Sequence, residues 1–363
     1  MASSSRKRKR DMLDDDDLCR RCNAIDFDTI FLRGVTEKIG SFVADVGRIT
    51  REGLTATCPF CRFMAHVVFS CPGTDASQED VEFSLRAFSS ATSIGHIINR
   101  RNSQFMPKIE NTAVLGLVKT EKSNSQKPQL LSHEILKQWG YICPTALPNR
   151  SVHPRVLGRS IKSDAIDYEL IKSWVQFCTN CHVKTCRILD DSCTPPCRLI
   201  DCSTRKVVEA PKNCRYVAMS YVWGIKEKDA KNYLVCTETG LLPKRLPAVI
   251  EDAMTVVRSL DLQYLWVDRY CIIQNDDTDV LKHMSIMDLI YNHAHMTIIA
   301  AAGSDPSFGL PGVGSRSRIP QPCANVKGHV LVSTLPDPQD MVKRSKWMER
   351  AWVCQIIARR SHS

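Results

Sequence analysis

The stretch Tyr216-Val-Ala-Met-Ser-Tyr-Val-Trp-Gly224 decides the fold of this chain. It begins as a short run of apolar, aromatic and β-branched residues, which is typical of a strand buried on both faces. A second such run is Tyr264-Leu-Trp-Val-Asp268, and a third extends from Met296 to Ala301. The segments between the three runs are too long for hairpin turns, so we expect crossover connections between the strands.

The segments between the runs have the signals of helices. Pro247 suits the first turn of a helix, Glu251 and Asp252 favour its positive N-terminal end, and apolar residues recur on one face. Thr278 is the predicted N-cap of the next helix. Alternating strands and helices predict an α/β fold in the C-terminal half, a compact parallel sheet with helical crossovers. A Cys-rich α+β region precedes it.

In such sheets, ligands bind at the carboxyl ends of the strands. The residues that follow the first two strands are therefore candidates for ligand binding, namely Tyr221, Trp223, Gly224, Asp268, Cys271 and Gln274. Trp223 offers a flat stacking surface, and Gly224 allows a close approach of the backbone. The alternative is that the tryptophans are core residues and Asp268 caps a turn.

The composition predicts a globular protein that stays inside the cell. At 363 residues with 43% hydrophobic content, the chain has room for two or three domains. No N-terminal pattern resembles a secretory signal, and no apolar run approaches the roughly 20 residues of a membrane span. The 17 cysteines are then expected as metal ligands or buried thiols in a reducing compartment, the cytoplasm or the nucleus.

Half of the net charge of +10 lies in one basic run, Arg6, Lys7, Arg8, Lys9 and Arg10, which acidic residues follow. The run predicts either a solubilising tail or a nuclear localisation signal that importin binds. Nucleic-acid binding is disfavoured, because the sequence has no recognition helix and no aromatic RNA-binding pattern.

The strand runs resemble the sequence blocks of the fungal heterokaryon incompatibility (HET) domain. The first block is 216–224, after the lead-in Arg198-Leu-Ile-Asp201; the second runs from Leu246-Pro247 to Tyr264-Leu-Trp-Val-Asp268 and continues to Gln274. The third, Arg350-Ala-Trp-Val-Cys-Gln355-Ile356, keeps Trp352 and Gln355, which the resemblance adds to the candidate binding residues. It departs from the family pattern at Ala351, Val353 and Ile356, and the chain ends seven residues later. We therefore expect a truncated or degenerate copy.

HET domains are remotely similar to TIR domains, several of which cleave NAD. The resemblance implies NAD as a ligand or substrate and a third-block glutamate as the catalytic group, but this chain has Ile356 there. An aliphatic side chain cannot stabilise the positive charge that develops as the glycosidic bond breaks. The remaining candidate catalytic carboxylates are Asp268 and Glu349, and we expect no intact NAD-cleaving activity.

Two cysteine pairs, Cys19-x-x-Cys22 and Cys58-x-x-Cys61, have the spacing with which two thiolates bind one Zn²⁺. Arg20 and Arg21 would partly offset the charge of a four-thiolate site. The pairs predict a structural zinc site, with buried free thiols as the alternative.

These features predict a division of the chain into a tail (1–17), a possible zinc-binding segment (18–72), a poorly defined region with a linker (73–155), a helical Cys-rich lead-in (156–205), a HET domain (206–357) and a short tail (358–363). The function that the resemblance implies is allorecognition with programmed cell death in a fungus. The expected partners are other incompatibility proteins or a second copy of the chain, and no membrane binding is expected. An NAD-cleaving enzyme and a zinc-stabilised nuclear binding protein are the alternatives.

Overall fold

The structure, a computed structural model, describes residues 17–32, 40–69, 81–90, 112–120, 138–146, 156–181, 196–224 and 240–349. The chain divides into two compact units, residues 1–161 with 319–340, and residues 162–318 with 341–363. A segment of the C-terminal half thus folds with the N-terminal unit. None of the described helices is long and apolar enough to cross a membrane.

The first unit is built on an antiparallel sheet of six strands. They are β1 (Ser41–Arg48), β2 (Glu82–Ser89), β3 (Ala113–Thr120), β4 (Ile142–Pro144), β10 (Cys323–Val326) and β11 (His329–Ser333). Their order is β1-β2-β3-β4-β11-β10, and every pair is antiparallel. The strands β2, β3 and β4 lie in the stretch 73–155, for which the sequence predicted no elements.

The described part of this unit also has three α-helices near its N-terminus, α1 (Arg20–Asn23), α2 (Phe27–Leu32) and α3 (Pro59–Phe69). In α3, Pro59 occupies the first helical position, where the missing N–H costs nothing. Phe60, Phe63, Met64 and Val67 recur at helical spacing and are all buried. They belong to one apolar cluster together with residues of α2 and β2, so the Cys-rich N-terminal region is an α+β unit.

The hairpin β10–β11 brings residues from far along the chain into the first unit. Its turn is Lys327-Gly328, both with positive φ of 50° and 75°, which is the two-residue turn that matches the twist of paired strands. The Lys327 ammonium donates hydrogen bonds to the carbonyls of Asn23 and Ile25. The hairpin therefore binds the C-terminal end of α1.

The second unit contains a mixed five-stranded sheet. Its strands are β5 (Arg198–Asp201), β6 (Lys206–Glu209), β7 (Tyr216–Ser220), β8 (Tyr264–Val267) and β9 (Met296–Ile299), in the order β6-β5-β8-β7-β9. The three strands predicted from sequence, β7, β8 and β9, are parallel. However, β5 pairs antiparallel with both β6 and β8, so a parallel sheet is not confirmed for the whole.

Helices connect the parallel strands as predicted. The helix α5 (Ala248–Ser259) lies between β7 and β8, and three helices lie between β8 and β9, namely α6 (Asp268–Cys271), α7 (Asp277–Ser285) and α8 (Met287–His293). Two further helices flank the sheet in sequence: α4 (Tyr168–Cys181) precedes it and α9 (Pro338–Lys343) follows it. The predicted N-cap Thr278 is wrong. Asp276 caps α7 instead, because its carboxylate accepts the backbone N–H groups of Thr278 and Asp279.

Candidate functional site

Four cysteines of the first unit meet at the beginnings of two helices. Cys19 is the N-cap residue of α1 and Cys22 lies within that helix. Cys58 directly precedes α3, and Cys61 is in its first turn. The two-residue spacing within each pair places both thiols at the same helix end, and the packing of the unit brings the two ends together.

The sulfur atoms of Cys19, Cys22, Cys58 and Cys61 all lie within 4.8 Å of one another. The Sγ of Cys61 is 3.8 Å from that of Cys19 and 3.6 Å from that of Cys22. A disulfide would need about 2.05 Å, whereas four sulfurs around one Zn²⁺ at 2.3 Å are about 3.8 Å apart. The cluster therefore has the donor atoms and the spacing to bind a tetrahedral metal ion.

The electrostatics of the cluster also favour a metal. Hydrogen bonding with Cys22, the largest cause, lowers the pKa of Cys61 to about 5, and Arg21 contributes in the same direction. The pKa of Cys22 is raised far above its usual range by hydrogen bonding with Cys61 and by burial. One thiolate is thus already stabilised at neutral pH, which is the protonation state that a metal requires.

The carboxyl ends of β7 and β8 form the second candidate site. The indole Nε1 of Trp223 donates to both carboxylate oxygens of Asp268 at 3.0 Å. The backbone N–H of Arg269 donates to the same carboxylate at 2.8 Å, and Gln274 donates its side-chain N–H to the Asp268 carbonyl at 3.0 Å. Asp268 is only 9% exposed. The ends of the two strands are therefore joined through a buried carboxylate.

Tyr221 and Gly224 complete the exit of β7. Tyr221 is buried, and Gly224 has a φ of +80°, where an ideal Cβ would lie 2.9 Å from Cδ of Pro306. A glycine is therefore required at this position. The depression beside it has a cavity volume of about 10 Å³, far below that of ligand pockets, about 300–1,000 Å³. It is lined by Tyr221, Val222, Val249, Gly303, Phe308 and Gly309, among others.

Comparison with known protein families found a match in the C-terminal half of the chain. The family model described as heterokaryon incompatibility protein (HET) matches residues 216–355. Residues 216–355 are therefore similar to a HET domain. Searches of curated proteins and of solved structures gave no match.

Within the matched region, Cys271 of α6 packs against the preceding strand β8 rather than into the depression. Its side chain is fully buried, and its Sγ lies 3.4 Å from the backbone N of Val267 and 3.9 Å from the Leu265 carbonyl oxygen. Its surroundings are those of a packed thiol. The backbone carbonyl of Cys271 accepts a hydrogen bond from Nε of Arg198 at 2.9 Å.

Sequence reasoning missed the ion pair between Arg198, in the lead-in to the first block, and Asp279, which follows the second block. The Asp279 carboxylate also accepts the Ile273 N–H at 2.8 Å. Burial works to raise the pKa of Asp279, but the hydrogen bonds from Arg198 and Ile273 outweigh it and the pKa is lowered. The pair ties the lead-in strand β5 to the segment after β8. The available signal in the sequence was a pair of opposite charges, one at the start of the lead-in and one after the second block.

The third block begins just beyond a buried tryptophan of the matched region. Trp347, in the 3-10 turn Lys346–Glu349, is fully buried and donates its indole N–H to the Ser220 hydroxyl at 2.8 Å. Glu349, a candidate catalytic residue, ends this turn with its side chain exposed. The candidates Trp352 and Gln355, and Ile356 with them, lie outside the described residues.

Proposed function

We propose that this chain is an allorecognition protein whose HET domain triggers programmed cell death in a fungus. The observation that carries the proposal is the HET family match over residues 216–355. The contact of Trp223 with Asp268 supports it, because it joins two of the matched blocks into one structure. The trigger is recognition of other incompatibility proteins or of a second copy.

Recognition accounts for the second site better than turnover does. The Asp268 carboxylate is already occupied by the indole of Trp223 and the N–H of Arg269, and the depression beside Tyr221 is small. The substitutions Ala351, Val353 and Ile356 in the third block support a degenerate copy. A degenerate copy would signal through binding.

Inducible expression in a filamentous fungus tests this function. The full chain is compared with Trp223→Phe, which keeps an aromatic ring but loses the N–H donor to Asp268. Trp174→Phe is the matched control, because Trp174 is 59% exposed on α4. We expect growth arrest and loss of compartment viability with the full chain and with Trp174→Phe, and a clear reduction with Trp223→Phe.

Immunoblotting and thermal unfolding establish that each variant accumulates in folded form. Normal growth of cells that contain the folded, unmodified chain would contradict the proposal. Equal toxicity of Trp223→Phe and the full chain would show that the contact between the blocks is not needed for it.

Nicotinamide release from NAD by the purified chain separates signalling from catalysis. We expect none, and we expect Glu349→Gln to behave like the unmodified chain. Release that Glu349→Gln abolishes would instead assign NAD cleavage to the HET domain.

We also propose that Cys19, Cys22, Cys58 and Cys61 hold a structural Zn²⁺. The support is the mutual distance of the four sulfurs and the lowered pKa of Cys61. Such an ion would link α1 to α3 and stabilise the first unit without taking part in chemistry.

Elemental analysis of the purified full chain tests the zinc site. We expect one zinc per chain, loss of zinc in Cys22→Ser, and no loss in Cys143→Ser. Cys143 is the matched control because it is buried in the same unit, where burial raises its pKa to about 12. A metal-free chain, or equal zinc loss in both variants, would contradict the site.

The proposal also includes the compartment in which the protein acts, the nucleus. We propose that importin binds Arg6, Lys7, Arg8, Lys9 and Arg10, which lie outside the described residues. A fluorescent fusion should move from nucleus to cytoplasm when the five are changed to alanine. An unchanged distribution would leave the run as a solubilising tail.

A further inference from the structure

The two edges of the second sheet differ in how they are protected. At one edge, the segment Gly240–Leu242 covers β6: the Val207 N–H donates to the Gly240 carbonyl at 2.7 Å, and the Leu242 N–H donates to the Arg205 carbonyl at 3.1 Å. β6 also carries a charge at each end, Lys206 and Glu209. Covered and charged edges resist pairing with other strands.

The other edge, β9, has neither form of protection in the part of the chain that the structure describes. Among the described residues, β9 pairs only with β7, so its outer backbone groups face no strand. Residues 289–304, which contain β9, include no Asp, Glu, Lys or Arg. An uncharged strand edge without a bulge or proline is a template for another strand.

The side chains of β9 are also incompletely covered. All five residues of β7 are buried, whereas Met296, Thr297 and Ile298 are half-buried and Ile299 is 38% exposed. The apolar surface of this edge would gain cover from a strand placed beside it.

We propose that β9 is the surface through which two copies of this chain associate, by antiparallel pairing of β9 with β9 of the second copy. A two-fold axis places the same surface against itself, and the identical edge offers matching N–H and C=O groups with no like charges opposed. A partner strand with charged residues would bury those charges without counter-charges on β9, so it fits this edge less well. The inference concerns assembly alone, so it stands or falls separately from cell death.

Sedimentation or light scattering of the purified full chain over a range of concentrations tests this surface. A pair of four-residue strands belongs with weak interfaces, below about 1,200 Å², so the range must extend to high protein concentration. We expect the mass to rise from 40.9 kDa towards twice that value. Ile299→Lys should keep the single-chain mass, because a lysine on the edge opposes strand pairing.

Leu241→Lys is the matched control, since Leu241 is 47% exposed beside β6 at the opposite edge of the same sheet. It should associate as the unmodified chain does. A single-chain mass at every concentration, or an equal effect of both substitutions, would overturn the proposal. Hydrogen exchange of the unmodified chain decides the matter should Ile299→Lys fail to fold. Protection of Met296–Ile299 that rises with concentration supports the pairing, and constant protection refutes it.

Discussion

Removing residues 1–161 should destabilise a part of the HET match that is distant from them in sequence. The hairpin β10–β11 lies within the matched range but pairs with β4, where Leu331, Val332 and Ser333 oppose residues 142–144. Expression of residues 162–363 alone would leave β11 without this neighbour. It would also leave Lys327 without the carbonyls at the end of α1.

The size of the effect follows from burial. Val326, Leu331 and Val332 are at most 1% exposed. Exposing one such side chain costs about 1.5–3 kcal/mol, so the three together cost about 5–9 kcal/mol. That is comparable to the whole stability of a domain, about 5–15 kcal/mol. Because a lone two-stranded hairpin is marginally stable at best, we expect it to unfold in the fragment and to cause aggregation.

Size-exclusion chromatography and hydrogen exchange of the fragment and the full chain measure this. The amides of β10 and β11 should be protected in the full chain and exchange rapidly in the fragment. The matched control is the same fragment with residues 319–340 replaced by a Gly/Ser linker. It should be more soluble than the fragment and should keep the protection of β7 and β8, since the second unit comprises residues 162–318 and 341–363.

Equal protection of the hairpin in the fragment and in the full chain, in a monomeric sample, would refute this reasoning. It would mean that the hairpin is stable without β4 and the other elements of the first unit. Aggregation of the linker control would refute it too, because the exposed hairpin could then not be the cause.

Three further predictions concern the second unit. Gly224→Ala should lower the free energy of unfolding by about 1–3 kcal/mol, measured in urea, because the positive φ and the approach to Pro306 both oppose a Cβ. Trp347→Phe should cost about 1–3 kcal/mol in the same assay, through a lost hydrogen bond and a small cavity. Hydrogen bonding from Arg205 lowers the pKa of Glu251, so this pair stabilises the fold above the pKa of the unfolded glutamate and the gain disappears as the pH falls through the folded value. Both side chains are over a third exposed, so Glu251→Gln should remove only about 0.5–1 kcal/mol at neutral pH, and the loss should shrink as the pH falls below about 4.3, the usual pKa of glutamate.

The parallel part of the second sheet was predictable because its strands are buried on both faces. Continuous apolar runs such as Tyr216–Ser220 leave a strong signal, and the helix after Pro247 was equally clear. The outer strands β5 and β6 were not predicted as strands. They are four residues long and end in charged residues, so local sequence does not separate them from a loop.

The cysteine cluster was predictable from spacing alone, because two thiols separated by two residues suit one metal ion. The strands β2 and β3 were missed, although Phe83, Leu85 and Ala87 alternate with more polar residues as a strand requires. The hairpin's place in the sheet could not be predicted. Its partner β4 is nearly 190 residues away in sequence, and the contact of Val332 with Cys143 has no local signature.

The boundary of the family match and the boundaries of the fold do not coincide in this chain. The match is continuous from residue 216 to 355, yet residues 319–340 fold with the N-terminal unit. Lys327 of the hairpin binds the carbonyl of Asn23, the last residue of α1, the helix that Cys19 caps and that contains Cys22. A metal bound by the cysteines would therefore stabilise a segment of the matched region directly. When that metal is removed, amide hydrogen exchange should therefore become faster in β10 and β11 before it changes in β7 or β8.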